Sequence, residues 1–153
     1  MALLDLDLVA LGLERGFDAL DEEECLNLLA EGGIGRVALT MGAIPVVLPV
    51  NYCFVAGAIA FLTGEGSKLR AAANNTVVAF QVDDIDSVTR TGWSVLAVGT
   101  ARVVSAPSDL VWMRRLPLDP WAPGDKNHVV RVIPEFVSGR RITATLMRPD
   151  DRT

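Results

Sequence analysis

A long segment without any charged residue, from Val37 to Gly64, limits what this chain can fold into more than any other feature. A run of this length has to be considered as a membrane-spanning helix. Proline and glycine divide it into pieces shorter than a spanning helix, and β-branched residues are common around the prolines. The dividing residues are Gly42, Pro45, Pro49, Asn51 and Gly57. The segment therefore predicts consecutive β-strands and no membrane insertion.

Turn residues and alternating apolar residues predict a mainly β chain. The expected strands cover residues 35–40, 44–54, 58–62, 77–82, 93–104, 128–133 and 139–147. An acidic loop is expected at 83–86, and three short helices are expected at 21–31, 67–73 and 107–115. The first helix has Asp21 and Glu24 at the spacing of a capping box and ends at Gly32. Six to seven antiparallel strands with flanking helices predict a small β-barrel, since closing a sheet removes its edges.

The whole-chain composition favours one domain that pairs with a second copy. The 153 residues can build a core without disulfides or metals, and we expect an N-terminal arm at 1–20, the domain at 21–147 and a tail at 148–153. Half of the residues are hydrophobic and the mean hydropathy is +0.34, which is high for a monomer. Part of the apolar surface is therefore expected to be covered in a homodimer.

Charge and terminal composition exclude several classes of protein. The net charge of -5 argues against nucleic-acid binding, which depends on Lys and Arg neutralising phosphates. The chain begins without a basic segment before an apolar run, so it does not resemble a secretory protein and a cytoplasmic location is expected. Cys25 and Cys53 lack metal or disulfide spacing, and His128 is the only histidine, so no metal site is expected.

The residues from Phe61 to Arg70 have the composition of a phosphate-binding turn. Thr63 and Ser67 can donate hydroxyl hydrogen bonds, and Lys68 and Arg70 add positive charge. The order differs from the nucleotide-binding P-loop, because Ser precedes Lys. Two interpretations remain open: a phosphate site, or an ordinary strand-turn-helix connection with solvated charges.

Four motifs together resemble the pyridoxamine 5'-phosphate oxidase-like family of flavin-binding split barrels. They are residues 35–39, 44–52, 61–63 with 66–68, and 91–95. The resemblance covers about residues 20–147. It implies a split-barrel homodimer that holds FMN, or in some branches a deazaflavin coenzyme, in a groove at the dimer interface.

The resemblance also implies roles for particular residues. Thr63, Ser67 and Lys68 would lie at the flavin phosphate. The strand beside the isoalloxazine ring would contain Pro49, Val50, Asn51 and Tyr52. Glu65 departs from this pattern, because a carboxylate inside a phosphate site would repel the ligand, so Glu65 either points away or makes the site weaker than the motif implies.

Other candidates have two open interpretations. Arg36 is either a phosphate partner or a residue of the barrel mouth, and Trp93 contacts either the cofactor or the dimer interface. Trp121 either covers the flavin of the partner or anchors its own loop, and Arg141 or its neighbour either reaches the partner's cofactor or is solvated.

The predicted function is that of an FMN-dependent oxidoreductase that uses a nicotinamide donor and a small-molecule substrate. The cofactor carries the chemistry, so the sequence need not contain an acid-base pair. The alternatives are a non-enzymatic flavin-binding or flavin-sensing protein, a deazaflavin-dependent reductase, and a cofactor-free interaction or haem-handling module. Oxidation of vitamin B6 phosphates is not expected, because the longer C-terminal region that binds that substrate is not recognisable.

Overall fold

The computed structural model describes residues 17–64, 68–104, 115–118 and 128–143. Its elements are β1 (Phe17–Leu20), α1 (Glu22–Ala30), β2 (Gly33–Met41), β3 (Ile44–Val55), β4 (Ala58–Thr63), α2 (Lys68–Ala73), β5 (Thr76–Asp86), β6 (Thr91–Val104) and β7 (His128–Ile142). The predicted helix at 107–115 lies almost entirely outside the described residues, and the predicted tail at 148–153 lies wholly outside them. No described helix is long and apolar enough to cross a membrane.

The seven strands form one antiparallel sheet that closes on itself, as the sequence predicted. The strand order is β1-β7-β4-β3-β2-β5-β6, and pairing of β6 with β7 closes a six-stranded ring. The short strand β1 pairs with the last part of β7, beyond the residues of β7 that pair with β4. Closure leaves the six barrel strands with neighbours on both sides along part of their length, and only β1 lies outside the ring.

The barrel is split where β3 and β4 separate. The two strands pair only between Tyr52–Val55 and Ala58–Phe61. Residues 44–51 of β3 pair with β2 alone, while Leu62 and Thr63 of β4 pair with β7. The chain enters α2 soon after this separation, so the helix lies where the barrel is open.

The interior of the barrel is filled mainly by aliphatic residues around three buried aromatic rings, those of Tyr52, Phe61 and Phe80. Tyr52 and Phe80 make an edge-to-face contact with ring centroids 4.7 Å apart. Gly35 makes room for this contact, since a Cβ at this position would lie 2.1 Å from Cζ of Phe80. Helix α1 covers one part of the core with Cys25 and Leu29, both fully buried.

Helix α1 begins as the sequence predicted. The Asp21 side chain accepts a hydrogen bond from the Glu24 N–H at 2.8 Å, and the Glu24 side chain accepts one from the Asp21 N–H at 3.0 Å. This capping box satisfies two donors that the first helical turn leaves unpaired. Gly32 and Gly33 then take positive φ angles of 71° and 111°, which turn the chain into β2.

Three predictions about secondary structure were wrong. Residues 83–86 are not a loop but the end of β5, because Asp83 to Asp86 pair with Ser94 to Thr91 of β6. The two strands predicted at 128–133 and 139–147 are one strand that continues to Ile142, because β6 pairs along its length. A β-bulge at Val98/Gly99 of β6 shifts the register where β6 passes Pro134. Residues 17–20, predicted as part of an irregular arm, form β1 because β7 offers them a free edge.

Candidate functional site

An open pocket of about 630 Å³ lies between the β2–β3 hairpin and α2. Its walls are apolar except for one cation, and its lining residues are Met41, Gly42, Ile44, Val46, Lys68, Ala71 and Ala72. This volume lies in the range of small-molecule sites, which are usually apolar with a few polar groups. The pocket can therefore accept a flat apolar ligand with a negative charge near Lys68.

The hydroxyl of Thr63, at the end of β4 beside this helix, has no partner in the described structure. Thr63 is only 2% exposed, and its Oγ1 makes no hydrogen bond. Buried polar atoms are nearly always paired, so an unpaired hydroxyl indicates a missing water, ion or ligand. This hydroxyl fits a phosphate, since a hydroxyl donates well to an anionic oxygen.

Arg70 and His128 form a contact close to Thr63. The Nη1 of Arg70 lies 2.8 Å from the Nε2 of His128. Because a guanidinium only donates hydrogen bonds, Nε2 has to be the acceptor in this contact. Thr63 and His128 are direct partners in the β4–β7 pairing, so this contact lies beside the unpaired hydroxyl. Sequence reasoning missed it, because the two residues are 58 positions apart and only the strand register brings them together.

Thr63 is the last residue of β4 and Lys68 is the first residue of α2, so both lie at the same end of β4. Ser67, Glu65 and Trp121 lie outside the described residues. Of the residues predicted to bind the phosphate, the structure therefore describes Thr63 and Lys68. It adds to them the contact between Arg70 and His128.

The strand predicted to follow the flavin ring presents its side chains on two faces. Val50 packs against the core, and Tyr52 is 2% exposed with its hydroxyl bonded to the Leu29 carbonyl at 3.0 Å. Pro49 and Asn51 lie on the opposite, outer face, because strand residues alternate. Pro49 and Asn51 therefore lie on the side of β3 opposite the pocket residues Ile44 and Val46, and the Tyr52 side chain is held in the core.

Arg36 lies on the outer face of the sheet, directly opposite Pro49. Its Nη1 is 3.7 Å from a carboxylate oxygen of Asp83 and 3.5 Å from the amide oxygen of Gln81. The charge of Arg36 is thus partnered on the outer face and is not directed to Thr63.

Trp93 and Arg141 are brought together, but away from the Thr63 end of the barrel. They are direct partners in the β6–β7 pairing, and Trp93 packs against the core. His128 is the first residue of β7 and Arg141 is the last but one. Strand residues rise about 3.3 Å each, so on the order of 40 Å of strand separates the two positions. Within one protomer, Trp93 and Arg141 do not share a site with Thr63 and Lys68.

The two cysteines are not reactive groups. Both are buried and free. Burial raises the pKa of both thiols, and Asp21 and Glu24 raise that of Cys25 further. The thiolate form is disfavoured, so neither cysteine is placed to act as a nucleophile.

A closed antiparallel barrel that is split where β3 and β4 separate, with an apolar pocket beside α2 that carries one basic residue, defines the split-barrel class. Comparison with family models supports this class and assigns the chain to one family within it. The pyridoxamine 5'-phosphate oxidase family model matches residues 21–141, and the chain belongs to this family.

Three similar proteins cover most of this chain. An uncharacterized protein of Mycobacterium tuberculosis is 38% identical over 135 residues, which cover 85% of this chain and 88% of that protein. The FAD-binding protein of Mycobacterium smegmatis has 36% identity and a TM-score of 0.70, covering 81% of this chain and 97% of its own. A conserved protein of unknown function from Corynebacterium diphtheriae has 28% identity and a TM-score of 0.70, covering 84% and 99%.

Proposed function

We propose that this protein binds a flavin and acts as a flavin-dependent oxidoreductase on a small molecule, with a reduced nicotinamide as electron donor. The observation that carries the proposal is the buried, unpaired hydroxyl of Thr63 beside the basic residues of α2. Membership of the family and the similarity to a protein described as FAD-binding support a flavin as the ligand.

In this proposal the protein binds and orients the cofactor. Thr63 and Lys68, with Ser67 of the same motif, would hold a phosphate, and the apolar wall formed by Met41, Ile44 and Val46 would exclude water from the adjoining part of the ligand. A bound flavin would supply the hydride and electron transfer. The backbone of β3 near Asn51, on the part of β3 that pairs with β2 alone, would contact heteroatoms of the ring.

The proposed assembly is a homodimer formed through the outer face of the sheet. The side of the barrel formed by β2, β3 and the start of β5 carries apolar side chains that a soluble monomer would leave in water: Ile34, Pro45, Val47, Pro49 and Val77. Val47 is 63% exposed and Val77 is 51% exposed. Burial of such a face in a two-fold dimer would remove this apolar area from water and leave the neighbouring pocket at the rim of the interface.

The identity of the flavin depends on the number of phosphates that the site holds. The family resemblance implies FMN, which has one phosphate, whereas the M. smegmatis relative is described as binding FAD, which has two. A deazaflavin coenzyme is the third candidate, and its longer acidic tail requires further basic residues.

The first test is the visible absorbance spectrum of the purified protein after incubation with excess flavin and removal of the free ligand. We expect retained flavin bands in the wild type and reduced retention in Lys68→Met. Arg90→Met is the matched control, because it removes a similar charge in the β5–β6 turn, remote from the pocket. Equal retention by wild type and Lys68→Met would contradict the proposed phosphate site.

Turnover is tested next with the flavin-loaded protein, a reduced nicotinamide, and nitro and quinone acceptors. Oxidation of the nicotinamide that depends on both flavin and acceptor is expected. Retained flavin without turnover would favour the non-enzymatic flavin-binding or sensing protein. Retention of the deazaflavin in place of the flavin would favour the deazaflavin-dependent reductase.

A further inference from the structure

The contact between Arg70 and His128 can form only while the imidazole ring is uncharged. The two side chains are partly buried, and Nη1 of Arg70 lies 2.8 Å from Nε2 of His128. A guanidinium only donates hydrogen bonds, and a protonated imidazole has no acceptor nitrogen left. Protonation of His128 would therefore break the contact and place two positive charges side by side, which repel each other.

Within the described residues, no acidic side chain faces this contact. β4 and α2 contain no Asp or Glu, and neither does β6, whose Val104 pairs with Val129 of β7. The acidic residue of β7 is Glu135, which accepts a hydrogen bond from the Thr100 hydroxyl at 3.2 Å. Seven positions of strand, roughly 23 Å, separate Glu135 from His128. The described protein therefore supplies no negative charge that would stabilise a protonated His128.

The other cations of these elements do not face the contact either. Lys68 lines the pocket beneath the β2–β3 hairpin, and Arg102 of β6 donates to the Asn75 side chain at 2.9 Å. Arg131 lies three positions along β7 from His128 and so on the opposite face of the strand. The remaining two arginines of β7 lie at its far end. Arg70 is thus the charged neighbour of His128 in the described structure.

An anion that would relieve the repulsion fits beside Thr63. Thr63 and His128 are direct partners in the β4–β7 pairing, and opposed residues of two strands present their side chains on the same face. The Thr63 hydroxyl is buried and has no hydrogen-bond partner. An anionic oxygen that accepts from this hydroxyl would lie next to the Arg70–His128 contact.

We propose that His128 is a positioning residue that couples binding of the anionic group of the ligand to uptake of a proton. In the free protein the uncharged ring holds Arg70. When the anionic group binds, a proton from solvent adds to Nε2, the hydrogen bond from Arg70 is released, and both side chains donate to the anion. This inference rests on the proposed flavin function, in which the anionic group is a phosphoryl group of the flavin.

The direction of the pH effect follows from linkage. Arg70 disfavours the protonated ring in the free protein, and the anion favours it in the complex, so the complex binds more protons. Affinity for a phosphorylated flavin therefore rises as the pH falls through the range in which histidine side chains titrate, about pH 5 to 8. Riboflavin has no phosphoryl group, so its affinity should not follow this change.

The test compares dissociation constants at about pH 5.5 and about pH 8.5, on either side of that range, measured by quenching of flavin fluorescence. The anionic probe is whichever of FMN and FAD binds more tightly, and riboflavin is the uncharged probe. His128→Gln keeps an uncharged acceptor but cannot take up a proton. A phosphate monoester itself titrates near pH 6, and this contribution is the same in both proteins.

We expect the wild type and His128→Gln to bind the anionic probe equally, within about twofold, at the alkaline pH. At the acidic pH we expect the wild type to bind it about tenfold more tightly than His128→Gln, a typical coupling between two sites. Glu65 and Asp125 are the acidic residues nearest to Thr63 and His128 along the chain. Glu65→Gln and Asp125→Asn are the matched controls, and both should keep the pH dependence of the wild type.

A second measurement needs no variant. His128 is the only histidine, so in protein without a histidine tag one set of imidazole signals in the NMR spectrum reports its protonation. These signals should change to those of the protonated ring at a higher pH in the flavin complex than in the free protein. Titration of the ring at the same pH in both states would overturn the inference.

Three results of the binding experiment would also overturn it. These are the same pH dependence in the wild type and His128→Gln, weaker binding of the anionic probe by the wild type than by His128→Gln at the acidic pH, and loss of the pH dependence in Glu65→Gln or Asp125→Asn, which would assign the proton to a carboxylate. Failure of all three flavins to bind at either pH would instead contradict the proposed function, so the two failures are distinguishable.

Discussion

The hydroxyl of Tyr52 donates a hydrogen bond of 3.0 Å to the main-chain carbonyl of Leu29 and so joins β3 inside the barrel to the last turn of α1. The same carbonyl accepts a hydrogen bond from the Gly32 N–H at 3.2 Å. The tyrosine ring also packs edge-to-face on Phe80. One side chain thus connects the covering helix, the hairpin strand and the opposite wall of the core.

Tyr52→Phe tests this connection. Removal of the hydroxyl should lower the free energy of unfolding by about 1 kcal/mol, the typical net value of a buried hydrogen bond. The loss stays modest because the Leu29 carbonyl keeps Gly32 as a partner. Urea unfolding measures the change, and flavin affinity should stay as in the wild type because the Tyr52 side chain lies in the core. A large loss of flavin affinity with unchanged stability would contradict the core assignment of this side chain.

The same residue predicts a loss of stability at alkaline pH. Burial raises the pKa of Tyr52 from 10.0 to about 12, with a further contribution from Glu31. The folded state disfavours the ionised form, so this stabilisation is complete below pH 10 and is lost as the pH rises toward 12. Tyr52 is the only tyrosine, so the near-ultraviolet absorbance of tyrosinate reports its titration directly. A midpoint of the tyrosinate titration near pH 10 in the folded protein would contradict the prediction. The difference in free energy of unfolding between wild type and Tyr52→Phe, measured in urea, should also shrink as the pH rises from 10 toward 12.

Gly35→Ala is expected to destabilise the barrel by overpacking. The new Cβ would lie 2.1 Å from Cζ of Phe80, and overpacking of this kind costs about 1–3 kcal/mol. A double-mutant cycle with Phe80→Leu isolates the clash, because a smaller side chain at position 80 should recover part of the loss. Additive effects of the two substitutions in denaturant unfolding would show that the clash is not the cause.

Val47→Asp is expected to dissociate the proposed homodimer. Val47 is an apolar residue of the outer face with 63% exposure, and a carboxylate there would be costly to bury between two copies. Val88→Asp is the matched control, since Val88 is 88% exposed in the β5–β6 turn. Light scattering coupled to size exclusion should give a dimer for the wild type and the control, and a monomer for Val47→Asp. A monomeric wild type would remove the basis for an interface on this face.

Much of the fold could be predicted because its signals are local. The capping box of Asp21 and Glu24, the turn at Gly42 and the prolines of β3 act within a few residues, and the observed elements begin and end close to the predicted positions. The acidic residues 83–86 misled the prediction because charge favours a loop, whereas pairing with β6 supplies backbone hydrogen bonds that do not depend on the side chains.

The candidate site was predictable in part. Thr63 and Lys68 lie in one short motif, so their joint position at one end of the barrel follows from local sequence. The Arg70–His128 contact and the separation of Trp93 from the pocket depend on the register of β7 with β4 and β6, which no local pattern encodes. The inward direction of Tyr52 and the outward direction of Pro49 likewise depend on that pairing, since a shift of one residue exchanges the two faces of a strand. Local chemistry sets where strands and turns occur, whereas long-range pairing of the backbone sets which side chains meet.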